Sequence, residues 1–218
     1  NIFREKIIGA CYVINGFGKS LGLIQIEELG NIETPIILTN TLSVGTAHEA
    51  LVKYMLSIDE DIKSLNPIVG ECNDGYLNDI RGLHVKEDHV FQALENASVE
   101  FEEGNVGAGT GMVCYGLKGG IGTSSRIINI DNKNYTVGVL VLSNFGLMKD
   151  LKIDGISVGK QLSKSLEEHN QDDRGSIILI VATDIPLSNR QLKRVIKRTN
   201  PGIARTGGFI GHGSGEIA

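Results

Sequence analysis

Asp173-Arg174-Gly175-Ser176 leads into Ile177-Ile178-Leu179-Ile180-Val181-Ala182-Thr183-Asp184, and this stretch decides the fold. The run after Ser176 is apolar, β-branched and short, with charge before it and Pro186 after it. A strand buried on both faces reads this way, because neither face needs polar side chains for solvent. A serine after a glycine at a strand start is ordinary by itself. Its meaning depends on what the rest of the chain brings to it.

Working back toward the N-terminus, Tyr135 to Ser143 and Ser125 to Ile130 read as a long hairpin around the turn-rich Asp131-Asn132-Lys133-Asn134. Ile36-Ile37-Leu38-Thr39-Asn40 is a short strand after Pro35, and Asn66-Pro67-Ile68-Val69-Gly70 is extended chain. Between them Ser43 stands as N-cap to a helix through Ala47, Leu51 and Met55. Glu87 to Ala97 supplies a second helix, with Val90, Ala93, Leu94 and Ala97 on one face. Nearest the N-terminus, Ile7 to Ile14 and Leu21 to Ile26 read as two strands joined at Asn15-Gly16-Phe17-Gly18.

Toward the C-terminus, Ser188-Asn189-Arg190-Gln191 has the form of a capping box, with Leu192, Val195 and Ile196 as the buried face of the helix that follows. Gly155 to His169 is polar and reads as helical, and Asn170 to Arg174 as a solvated loop. Strands interleaved with helices, without a repeat or a linker, predict a layered α/β sandwich in one domain, residues 1–218.

Bulk properties exclude several classes. A net charge of −5 and a pI near 5.6 argue against nucleic-acid binding, whose footprint is basic. No segment approaches a membrane span. Cys11, Cys72 and Cys114 are far apart, which suggests reduced thiols in a cytoplasmic setting. His84 and His89 miss the spacing of a helical zinc pair, so neither a metal nor a cofactor is expected. The start at Asn1 and the strand opening at Gly215-Glu216-Ile217-Ala218 read as a segment of a longer protein.

Glycine supplies 28 of 218 residues, clustered at Gly104-Asn105-Val106-Gly107-Ala108-Gly109-Thr110-Gly111 and Gly119-Gly120-Ile121-Gly122. A P-loop fails because Leu117 stands where lysine is required, and a dinucleotide fingerprint fails because the first cluster gives only GxGxG. Turns and close backbone approach are the default for these glycines. A serine-hydrolase elbow around Ser214 fails because His212 takes the first glycine position.

Four other positions are open to two readings each. Ser214 and Glu216 share one face of a strand, either an exposed polar edge or part of a site. Asn144 ends a strand, either as a turn residue or as an oxyanion donor. The loop from Glu71 to Asp79, which contains Tyr76, either satisfies its own backbone or lines a pocket.

Taken together, Leu38 to Gly45, Gly70 to Asp79, Gly104 to Gly111 and Gly175-Ser176 resemble one family over nearly the whole chain, in order. It is that of the self-processing aminopeptidases of the L-aminopeptidase/D-amidase/D-esterase and β-peptidyl aminopeptidase type. The resemblance implies a four-layer αββα sandwich similar to that of N-terminal-nucleophile hydrolases. It implies self-cleavage between Gly175 and Ser176, giving an α-chain portion 1–175 and a β-chain portion 176–218. It places Ser176, Asn144, Ser214, Glu216 and Tyr76 at active-site positions. The substrates it implies are short peptides, amides or esters, and the assembly a homo-oligomer of αβ units. Two alternatives remain: an acyltransferase of the ornithine-acetyltransferase type, expected to use threonine where this chain has Ser176, and a non-catalytic ligand-binding protein.

Overall fold

The structure is a computed structural model that describes residues 1–165 and 175–218. In chain order, Ile7–Ile8 is β1, Val13–Gly16 is β2, Leu23–Leu29 is α1, Asn31–Ile32 is β3 and Ile36–Asn40 is β4. Val44–Ile58 forms α2, Ile68–Cys72 forms β5, Glu87–Glu95 forms α3, and Val113–Cys114 and Leu117–Lys118 form β6 and β7. Gly120–Ile130 is β8, Lys133–Asn144 is β9, Gly159–Ser165 is α4, Ser176–Thr183 is β10, Asn189–Ile196 is α5, Thr199–Arg205 is α6 and Gly215–Ile217 is β11.

The apolar run after Gly175 is β10, in the middle of a five-stranded sheet of order β2-β11-β10-β9-β8. It pairs parallel with β11 and antiparallel with β9. Ser176 to Leu179 are buried, whereas the far half opens toward solvent at Ala182. Pleating sends Ile177 and Leu179 to one side and Ile178 and Ile180 to the other. The two sides bury different cores.

On one side Ile178 packs with Leu142, Ile217, Met112 and Cys72, and Leu38 packs against them, so the parallel pair β4–β5 forms a second sheet over the first. The outer face of that pair, through Ile37 and Val69, meets Ala47, Leu51 and Met55 of α2 and Val90 of α3. On the opposite side of the large sheet, Ile177 and Leu179 pack on Ile203 of α6 with Tyr115 and Phe145. The result is helix, sheet, sheet, helix. Leu51 and Met55 are fully buried, and each such side chain contributes about 1.5–3 kcal/mol through removal from water.

The β8–β9 hairpin turns at Asp131 and Asn132, both at positive φ (50° and 61°), as a two-residue type I′ turn requires. Ser188 and Gln191 close the expected capping box, the Ser188 N–H donating to Gln191 Oε1 at 2.9 Å. Ser43 differs from expectation: a 3-10 turn over Thr41–Ser43 feeds α2, and the serine side chain makes no capping bond.

The N-terminal hairpin is corrected. Ile7–Ile8 pairs with Asn31–Ile32, while Val13–Gly16 joins the edge of the large sheet beside β11, so Asn15-Gly16 is not a hairpin turn. Leu23–Leu29 is helical, with Gly22 and Gly30 at φ 86° and 68° marking its ends. Leu23 and Ile26, three apart, pack beside Cys11 and Ile68 while Ile24 stays 88% exposed. Helical spacing of that apolar pair overrides the apparent alternation. The expected loop over Asn170–Arg174 and the end of the helix toward His169 lie outside the described residues.

Candidate active site

Three strand ends meet at one point. Asn144 closes β9, Ser176 opens β10, and antiparallel register makes them direct partners. In the parallel pair β10–β11, Ser176 stands beside Gly215 and Ile177 beside Glu216. Asn144 therefore meets Ser176 across the β9–β10 ladder, and Ser214 and Glu216 lie at the start of the adjoining strand β11, although the three segments are far apart in sequence. All four are buried, with Ser214 and Glu216 at 1% exposure. The reading of Ser214 and Glu216 as an exposed polar edge is thereby set aside, because β2 covers that flank of β11.

The Asn144 amide is held at both ends. Its Oδ1 accepts the Val113 N–H at 2.9 Å, and its Nδ2 donates to the Asn73 carbonyl at 3.0 Å and lies 3.4 Å from Ser176 Oγ. An acceptor met by a backbone N–H and a nitrogen that faces a carbonyl fix the amide's orientation. One N–H is taken by the Asn73 carbonyl and the other faces Ser176 Oγ.

Ser214 Oγ bonds to Glu216 Oε1 and to the Gly211 carbonyl at 2.8 Å. The Gly211–Ser214 turn is pinned by Asn15, whose Nδ2 donates to the carbonyls of Ser214 and, at 3.1 Å, Gly211. Asn15 was legible in sequence only as a turn residue. His212, in the same turn, is exposed, as expected of a loop histidine.

Gly175 precedes the serine in a tight place. Its carbonyl accepts the Gly215 N–H at 3.3 Å. A Cβ at 175 would overlap Asn144 O and Phe145 Cα, so no other residue fits without displacement of the β9 end.

Behind the serine lies Cys72, fully buried in the inter-sheet core, its Sγ 3.7 Å from the Leu142 carbonyl. Burial pushes the Cys72 thiol up to about 12, and a hydrogen bond from Ser176 works in the opposite direction. Next to it, Glu71 is a second buried carboxylate, accepting the Lys19 N–H at 2.8 Å and the Thr41 hydroxyl. Sequence reading grouped both with a polar loop. Their one local signal is polarity at the end of a strand that is otherwise buried.

Tyr76 is the exposed member of the predicted set. It lies on the loop after β5, three residues beyond Asn73, and is 68% exposed. That loop closes on itself through Asn73, whose Oδ1 accepts the Gly75 N–H at 2.9 Å, and through Asp74, which holds the amides of Asn40 and Asn78. Asp74 and Asn78 also bound a cleft of about 500 Å³. Both readings of the loop therefore apply.

Among the described residues, no group of three or more His, Cys, Asp or Glu is placed to hold a metal ion, and no helix is long and apolar enough to cross a membrane. His84 pairs with Asp79 at 3.1 Å, and His89 Nδ1 accepts the Lys86 N–H.

The arrangement suits acyl transfer. A hydroxyl at a strand start faces an oriented amide donor, and a hydroxyl–carboxylate pair lies on the adjoining strand.

The chain is 42% identical to the beta-peptidyl aminopeptidase BapA of Sphingosinicella microcystinivorans over 98% of its own length and 58% of that protein. Among solved structures it is similar to the PH0078 protein from Pyrococcus horikoshii OT3, with a TM-score of 0.94 and 56% identity, covering 100% of this chain and 61% of that one. It is also similar to the L-aminopeptidase D-Ala-esterase/amidase from Ochrobactrum anthropi, described as a variant of the Ntn hydrolase fold. There the TM-score is 0.88 and the identity 38%, over 97% of this chain and 59% of that one. The chain thus spans less than two thirds of the length of each of these relatives, and its four layers are those of the Ntn hydrolase fold. With the model for peptidase family S58 matching residues 1–218, the chain belongs to that family.

Proposed function

We propose that the protein to which this chain belongs is a self-processing serine aminopeptidase, releasing N-terminal residues from short peptides, amides or esters. The observation that carries this reading is the placement of Ser176 at the start of β10, opposite Asn144 and beside Ser214–Glu216.

In the precursor, Ser176 Oγ attacks the carbonyl carbon of Gly175. The Gly175–Ser176 C–N bond breaks as the acyl group moves to oxygen, and the nitrogen takes up the hydroxyl proton. Water then hydrolyses the ester, leaving the Gly175 carboxylate and a free Ser176 amine. That amine has a pKa of about 7.7–8.0 and serves as base for its own hydroxyl near neutral pH. An internal serine would need a histidine instead.

In turnover, Ser176 Oγ attacks the substrate carbonyl and Asn144 donates to the oxyanion. The leaving amine departs with the proton taken from the hydroxyl, and water hydrolyses the acyl-enzyme. Ser214 orients the protons, and Glu216 holds an ammonium, that of Ser176 or that of the substrate. The exposure of Tyr76 supports a place on the pocket wall, reached by substrate from outside. The transferase alternative expects threonine at position 176, and no feature of the site favours it.

On this reading residues 1–218 form one catalytic unit, cut into portions 1–175 and 176–218. The family resemblance supports assemblies of αβ units, and the odd number and wide spacing of the cysteines support a cytoplasmic setting. Intact-mass analysis of the full-length protein is the test: two fragments with serine at the new N-terminus are expected, and a chain that stays whole while hydrolysing substrate would overturn the proposal.

A further inference from the structure

The glycine-rich segment that fits no nucleotide motif surrounds a lysine. Lys118, on β7, is an exposed residue whose ammonium nonetheless turns back onto the backbone. Its Nζ donates to the carbonyls of Gly109 at 2.8 Å, Met112 at 3.0 Å and Gly119 at 2.7 Å. A lysine ammonium has three donors, and three carbonyls take them. A lysine serving only solubility would extend into water and keep its freedom.

The Met112 carbonyl belongs to the same peptide group as the Val113 N–H. That carbonyl accepts both Lys118 Nζ and the Gly119 N–H, the latter at 2.8 Å. The Val113 N–H donates to Asn144 Oδ1, and Asn144 Nδ2 faces Ser176 Oγ. One peptide group therefore stands between a positive charge and the amide assigned to the oxyanion. Charge on its oxygen makes its N–H a stronger donor, and that in turn makes the Asn144 N–H a stronger donor.

The surrounding glycines allow this closeness. A Cβ at Gly119 would overlap the Ser143 carbonyl oxygen, beside Asn144, and one at Gly109 would lie 2.9 Å from Ile121 N. Burial of the ammonium holds the Lys118 pKa below the usual lysine range, in keeping with an enclosed tip.

We propose that Lys118 is a positioning residue for the reaction, fixing and polarising the Asn144 amide through the Met112–Val113 peptide. The inference rests on the oxyanion role given to Asn144 above.

The test is a double-mutant cycle in the full-length protein, with hydrolysis of an aminoacyl p-nitroanilide normalised to the cleaved fraction found by mass spectrometry. Lys118→Gln keeps two donors and removes the charge. It is expected to lower kcat roughly 5- to 30-fold with KM within about twofold. In an Asn144→Ala background the same change is expected to cost less than about twofold, because the route is already cut. Lys118→Arg, which keeps the charge, is expected to retain kcat within about threefold, and it is the variant read if Lys118→Gln gives no folded enzyme. Unchanged kcat in Lys118→Gln, an equal loss in both backgrounds, or a Lys118→Arg loss as deep as that of Asn144→Ala would overturn the proposal. If Asn144→Ala is impaired and Lys118→Gln is not, only this inference fails. If Asn144→Ala is unimpaired, the oxyanion reading falls and this inference with it.

Discussion

Asn144 and Ser176 occupy one rung of the antiparallel ladder between β9 and β10, the amide nitrogen 3.4 Å from the hydroxyl oxygen. The distance is set by strand pairing and not by a flexible loop, so amide and hydroxyl keep their relation as the backbone fluctuates. Asn144→Ala is expected to reduce kcat by about 10²–10³, the usual cost of one lost oxyanion donor. It also strips the Val113 N–H of its acceptor, at about 1–3 kcal/mol of stability. Ser176→Ala is expected to abolish both chain cleavage and p-nitroanilide hydrolysis, and retained turnover in that variant would remove Ser176 from the mechanism.

Glu216 is buried beside Ser214. If it holds an ammonium, Glu216→Gln should lower kcat/KM by about 10- to 100-fold on substrates with a free amine, as expected for loss of a hydrogen bond to a charged group. Comparing free and N-acetylated anilides would show it: wild type should discriminate strongly against the blocked substrate, and the variant less so. Equal discrimination in both would assign the carboxylate another role.

Gly175→Ala should be damaging for steric reasons alone, since the new methyl overlaps Asn144 O and Phe145 Cα. Overpacking of this kind costs about 1–3 kcal/mol. A lowered melting temperature together with slowed appearance of the two fragments is the expected pair of results. Wild-type cleavage kinetics would show that the β9 end yields more readily than its contacts indicate.

Cys72 gives a pH signature. Its thiol is raised from an ordinary 9.0 to about 12, first by burial. In the unfolded chain it ionises near 9, so the folded state is favoured by this group below that pH and loses the contribution as pH rises from about 9 toward 12. Burial raises Cys11 as well, and the two effects add. Melting temperature should therefore fall on the alkaline side, less steeply in Cys72→Ala relative to its own neutral value. At pH 8 a thiol reagent should leave Cys72 unlabelled until denaturant is added, and labelling of the native protein there would contradict the burial.

Part of this was legible residue by residue. Six consecutive apolar positions from Ile177 to Ala182 have one stable use, a strand covered on both faces, and β10 is that strand. The helix around Leu51 and Met55 and the capping box at Ser188 announce themselves within one or two turns. Leu21 to Ile26 did not, because six residues are too few to separate the two periods, and the structure packs Leu23 and Ile26 inside while Ile24 faces out. Gly22 and Gly30 gave the deciding contacts their geometry only once Cys11 and Ile68 were in place.

The sequence by itself determined which residues have the chemistry: a serine after a glycine that admits no side chain, a strand-end asparagine, and a serine and a glutamate two apart. Tertiary structure alone decided that Asn144 faces Ser176 and that Ser214 and Glu216 pair, buried, on the adjoining strand. Parallel pairing of β10 with β11, antiparallel pairing with β9 and the cover of β2 turned an apparent polar edge into a closed site. The roles of Asn15, Cys72, Glu71 and Lys118 were illegible for the same reason. Each depends on partners fixed by strand register and sheet stacking, which no local pattern of polarity encodes.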